Sequence, residues 1–286
     1  MGHQDRQELP LIPPSVDVSR LPEPLRDDKR ALTAEEARKT YLKITRDAWK
    51  TEGHTSKHTA HRKGIYPRIL EADRSFQERY AGLTTAKISR DLSPYDASGD
   101  RMTLWELDQI LNGGSVRQKA RSSLDYQLSQ KCGFEYEWVA VTSVTRTTGT
   151  PQEHIYIWID DPKDDVSKMS LFPAHQKHIE RCDRGYSEAH EISQERKYGS
   201  ITVEHSPSVV DHLPEKFFEI REESETEARP VTKGAQFVAS KLIHLHIGDY
   251  VDSERKDPPE ALLEGAALAW ASPYKWFRAS SGVPSP

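Results

Sequence analysis

The chain has 286 residues, 35% of them hydrophobic and 30% charged, with a formal net charge of −5 and a pI near 6.2. That is enough material to bury a core in one large domain or two small ones. No stretch approaches the roughly 18 apolar residues of a membrane span, the opening MGHQDRQELP has no apolar signal segment, and Cys132 and Cys182 are too few for a disulfide framework or a thiolate zinc site, so a reduced, cytoplasmic protein is expected.

In chain order, residues 1–28 hold Pro10, Pro13, Pro14, Pro22 and Pro24 with little periodicity, which predicts an extended or disordered arm. Residues 29–80 form a basic helical region. Thr33 with Glu36 makes a capping box for a helix to about Lys50, a polar, His-rich loop follows, and a second helix runs from about Pro67 to Tyr80. Between residues 29 and 90 there are 15 Lys or Arg against 7 Asp or Glu, a local charge of +8 that leaves −13 for the rest. Such asymmetry suits a phosphate-contacting surface, and equally a solvated pair of basic helices.

Residues 81–210 are expected to form an α+β core. LTTAKISRDL (83–92) reads as a strand, and the capping box at Thr103 and Glu106 opens a short helix stopped by Asn112-Gly113-Gly114. Ser115 starts a helix with Val116, Ala120, Leu124 and Leu128 on one face. The clearest strands are Glu135–Thr145 and His154–Asp160, rich in aromatic and β-branched residues and joined closely enough to be antiparallel neighbours. Pro173 is expected to start a helix to about Asp183, and Tyr198–His205 to be a strand. The C-terminal part, 211–286, is expected to be helical, over about Lys233–His246 and Glu260–Ala271.

Two places could carry a metal on a pair of side chains two residues apart, because alternation along a strand puts such a pair on one face. His244-Leu245-His246 is a literal His-hydrophobic-His string, but it ends a pattern of period 3.6, and on a helix residues two apart diverge. Gln152 and His154 lie at the mouth of the best strand and face the same way. Gln ligates through its carbonyl oxygen, which suits Mg²⁺ or Mn²⁺ better than zinc. The alternative is a partly exposed histidine at a strand entry. The cluster His175, His178, Cys182 and His190 matches no zinc spacing and reads as a solvated helix, and the tryptophans read as core and surface aromatics rather than a base-stacking platform. No phosphate-binding glycine loop, nucleophile elbow or dinucleotide fingerprint is present.

The segments LTTAKISRDLSP (83–94), TLWELDQILNGG (103–114), FEYEWVAVTSVT (134–145), TPQEHIYIWIDDP (150–162), FPAHQKHIERC (172–182) and EGAALAWASPYKWFRASSG (264–282) together resemble replication proteins of haloarchaeal plasmids and pleomorphic viruses, rolling-circle initiators with a His-hydrophobic-His (HUH) endonuclease site. The resemblance covers roughly residues 80–282. It implies an antiparallel sheet flanked by helices, an HUH-endonuclease or palm-like core, and a metal-dependent nickase whose tyrosine attacks single-stranded origin DNA and stays attached to the 5′ end. It also implies the host replication machinery as a partner. A tyrosine with a pKa near 10 is a weak nucleophile without a metal to polarise the phosphate. The chain departs from the pattern twice. Gln152 stands where the first metal histidine would be, with His154 matching the second, and the helix 233–246 that should present the nucleophile has Phe237 and no tyrosine, which makes Tyr250 the best candidate and Tyr198 a poorer one. Three readings stay open: a nicking initiator, a DNA-binding replication accessory or regulatory protein of the same fold without nuclease chemistry, and an unrelated small-molecule enzyme using His154.

Overall fold

The computed structural model describes residues 65–96, 98–100, 102, 104–112, 115–145, 150–181, 200–210, 230–243 and 275–284. Helix α1 (Tyr66–Arg79) comes first, within one residue of the expected bounds; Pro67 sits in its first turn, where a missing N–H costs nothing, and the chain turns extended at Tyr80. Strand β1 (Leu83–Arg90) follows, then helix α2 (Leu104–Asn112) and helix α3 (Ser115–Asp125), which widens into a π-helical turn over Tyr126–Lys131. Strands β2 (Tyr136–Val144) and β3 (Pro151–Asp160) form the expected antiparallel hairpin. Helix α4 (Lys168–Arg181), strand β4 (Ile201–His205), the short strands β5 (Val209–Val210) and β6 (Val231–Thr232), helix α5 (Lys233–Ile243) and strand β7 (Phe277–Ala279) complete the order.

Five strands form one sheet in the order β4-β1-β3-β2-β7, every neighbour antiparallel, and β5 pairs with β6 beside it. The architecture is therefore a mixed α and antiparallel β fold with helices on both faces. One face carries Ala86, Ile88, Trp138, Ala140, Ile157, Ile159 and Ile201, closed by Leu124 and Leu128 from α3 and its π turn and by Leu171 and Ala174 from α4. The other face lies under α1 and α5. There Phe76 of α1 meets Trp158, with ring centroids 5.1 Å apart. No helix among the described residues is long and apolar enough to cross a membrane.

Helix α4 starts at Lys168, not at Pro173, because Ser167 and Ser170 cap it: Ser167 N donates to Ser170 Oγ at 3.2 Å and Ser170 N to Ser167 O at 3.0 Å. Strand β3 opens three residues earlier than expected, at Pro151, and Thr145 N donates to Thr150 O at 2.9 Å to close the hairpin. The segment from 211 onward contributes strands as well as helix. β7 extends the sheet beside β2, and Trp276 Nε1 ties the approach to it onto Asp108 of α2 at 3.1 Å. The helices expected over 33–50 and 260–271 fall outside the described residues, as do residues 1–64 altogether.

Candidate functional site

Strand β3 is the middle of the five, and alternation puts Gln152, His154, Tyr156 and Trp158 on the face beneath α1 and α5. The deep half of that row is structural. Trp158 Nε1 donates to Asp73 Oδ1 at 2.7 Å, Thr232 donates both its N–H and its hydroxyl to Asp73 at 2.7 Å, and Tyr156 Oη shares a hydrogen with Thr232 Oγ1 at 2.7 Å. These bonds join α1 to the start of α5 across the sheet. Gly234 in the first turn of α5 lies so close to Tyr156 that an added Cβ would stand 2.4 Å from its ring. The helix is thus pressed onto β3 and runs from Tyr156 towards His154. Tyr156 itself is no nucleophile, since complete burial pushes its phenol far above the usual value.

The shallow half is different. His154 is 3% exposed; its Nδ1 pairs with Ser89 Oγ at 2.9 Å, while Nε2 is buried with no hydrogen-bond partner among the described residues. Phe237 of α5 sets its ring against the imidazole edge to face, with centroids 5.6 Å apart. Burial, then Lys241 and Lys87, hold the imidazole well below its ordinary pKa of 6.5, so it is neutral. The Ser89 hydroxyl can donate to Nδ1 or accept from it; in the tautomer with the proton on Nδ1, Nε2 presents a lone pair, the state a metal ligand needs. Gln152 shares this face and donates a side-chain hydrogen bond to Asp91, just past the end of β1. Burial pushes the Asp91 carboxyl up to about 6, with Gln152, Lys241 and Lys87 opposing the rise. Ser143, opposite Gln152 on β2, has a buried hydroxyl without a partner among the described residues. The ammonium groups of Lys87 and Lys241 each stand 4.5 Å from the centre of the Phe237 ring, which is 37% exposed. Burial lowers the Lys87 pKa, partly offset by Glu204 and Asp91.

A second group of potential ligands lies at the far end of β1 and β3, on the other face. Asp161, Asp164 and His205 hold ligand atoms within 4.8 Å of one another and could take a metal. His205 Nδ1 is 3.7 Å from Asp161 Oδ2, 3.3 Å from Asp164 Oδ1 and 2.9 Å from Thr84 Oγ1. Asp161 already accepts from the backbone of Asp165 and Val166, each at 2.9 Å, so much of its capacity is spent shaping the loop before α4.

Of the residues singled out in the sequence, Gln152 and His154 do come together on one face and Phe237 does lie beside His154. Tyr250, Tyr198, His244, His246, Cys182 and His190 lie outside the described residues. His175 is buried in α4, and Trp138, Trp158 and Trp276 are core residues. Asp91, Ser89 and Lys87 were not foreseen. Their signal was available once β1 is paired with β3, because the register sets Ser89 opposite His154 and Lys87 opposite Tyr156. No family model, curated protein or solved structure matches this chain.

Proposed function

We propose that this chain is a DNA-binding replication protein of the rolling-circle initiator kind, holding single-stranded origin DNA over α5 at the end of the sheet where that helix covers Gln152 and His154. The observation behind the reading is the placement of Phe237. A histidine on the middle strand of an antiparallel sheet, beneath a helix, is the arrangement the HUH resemblance leads one to expect, and here the helix offers a phenyl ring to that histidine. A phenyl ring cannot attack phosphorus. The described site therefore binds a strand without supplying a nucleophile, and the protein acts as an accessory or regulator alongside the host replication machinery.

The nicking form of the same reading has one observation in its favour, the buried Nε2 of His154 that lacks a partner among the described residues. By donor chemistry that atom, the Gln152 carbonyl oxygen and the Asp91 carboxylate would suit Mg²⁺ or Mn²⁺ if they converge on one ion. A bound ion there would polarise a phosphodiester. In that form His154 stays neutral, with its proton on Nδ1 donated to Ser89, and the attacking hydroxyl comes from Tyr250.

One experiment separates the two. Purified protein is incubated with Mn²⁺ and a labelled single strand from its own replicon's origin, and binding is measured across salt before and after denaturation. The expected result is salt-sensitive binding with no label surviving denaturation. A surviving adduct that disappears in Tyr250→Phe would establish the nickase instead, and absence of salt-sensitive binding would overturn both forms.

A further inference from the structure

We infer that Phe237, Lys87 and Lys241 form a clamp for one nucleotide of a single strand: the two ammonium groups take a backbone phosphate and the phenyl ring takes the neighbouring sugar or base. The inference rests on the reading that the protein binds single-stranded DNA, and it names the residues that do so.

The three side chains come from two elements that the core locks together. Lys87 is on β1, Phe237 and Lys241 are one turn apart on α5, and the Asp73–Thr232–Tyr156 network with the close approach at Gly234 fixes the helix on the sheet. Phe237 is among the few large apolar side chains left exposed in the described residues, and both cations rest on its ring. A cation over a phenyl ring is a weak hold, whereas a phosphate oxygen gives an ammonium group a charge-assisted hydrogen bond. An arriving phosphate competes with the ring and with Asp91 for these groups, and where it draws them off the ring it uncovers a face on which a base can stack, as aromatic side chains do in sequence-tolerant strand binding. The facing acids are Glu204, which acts on Lys87, and Asp91, which acts on both lysines.

The test is fluorescence anisotropy of a dye-labelled oligothymidine with full-length protein over a salt series. Lys87→Met and Lys241→Met keep the apolar stems, Phe237→Leu keeps the packing on His154, and Lys163→Met in the exposed loop after β3 is the control. Each lysine variant should weaken binding, the double variant Lys87→Met/Lys241→Met should reduce the slope of log K against log salt by about 0.7, and Phe237→Leu should weaken binding by about 5- to 150-fold with the salt slope unchanged. Wild-type binding with all three variants matching Lys163→Met overturns the clamp alone. Failure of the wild type to bind overturns the functional reading as well.

Discussion

Asp91 and His154 are neighbours whose burial acts on opposite protonation states. Asp91 holds its proton more tightly in the folded chain, with a pKa of about 6 against an ordinary 3.8, so the folded state binds more protons in that window and stability falls as pH rises through it. His154 resists protonation when folded, so below 6.5 the unfolded chain binds more protons and stability rises with pH. The two slopes oppose each other. Urea denaturation between pH 4 and 7 should therefore show a flatter curve for the wild type than for either variant: Asp91→Asn should gain stability more steeply with rising pH, the removed opposing contribution amounting to about 3 kcal/mol at most, and His154→Phe should lose stability over the same range. Parallel curves would contradict the burial assigned to both groups.

At the scale of elements, β7 is held by charge. Arg278 on β7 and Arg90 at the end of β1 both pair with Glu153 at the start of β3, and Arg90 Nε donates to Glu153 Oε2 at 2.5 Å. Arg90 and Glu153 are each 1% exposed. Removing the carboxylate leaves two guanidinium groups without that counter-charge in a desolvated place, so Glu153→Gln should cost about 3–5 kcal/mol, read as a shift in the denaturation midpoint with the largest loss of amide protection at β7. A change below about 1 kcal/mol would show that the ionic network is not what ties the C-terminal strand to the sheet. This arrangement also shows why parts of the fold were hidden in the sequence. β1, β2, β3, α1 and α5 announce themselves by period and by β-branched or aromatic runs. β7 is only Phe277-Arg278-Ala279, too short to carry a period, and its anchor is a charged residue of the kind usually assigned to the surface. The early start of α4 was likewise masked, since Pro173 looks like a first-turn residue unless the Ser167–Ser170 cap is noticed.

Across the whole molecule, the candidate site was half legible. Gln152 and His154 could be placed on one face from alternation alone, and Phe237 could be recognised as standing in a helix where a tyrosine was wanted. Lys87, Ser89 and Asp91 could not, because their relation to His154 depends on the pairing of β1 with β3 across more than sixty residues of sequence. The proposed function puts single-stranded DNA over α5 and the shallow half of β3. Photocrosslinking a bromodeoxyuridine-substituted origin strand to the full chain, followed by mass-spectrometric mapping, tests it most directly. Crosslinks are expected in the peptide spanning residues 233–241, centred on Phe237. Efficient crosslinking confined to residues 29–64, with none on α5, would contradict it.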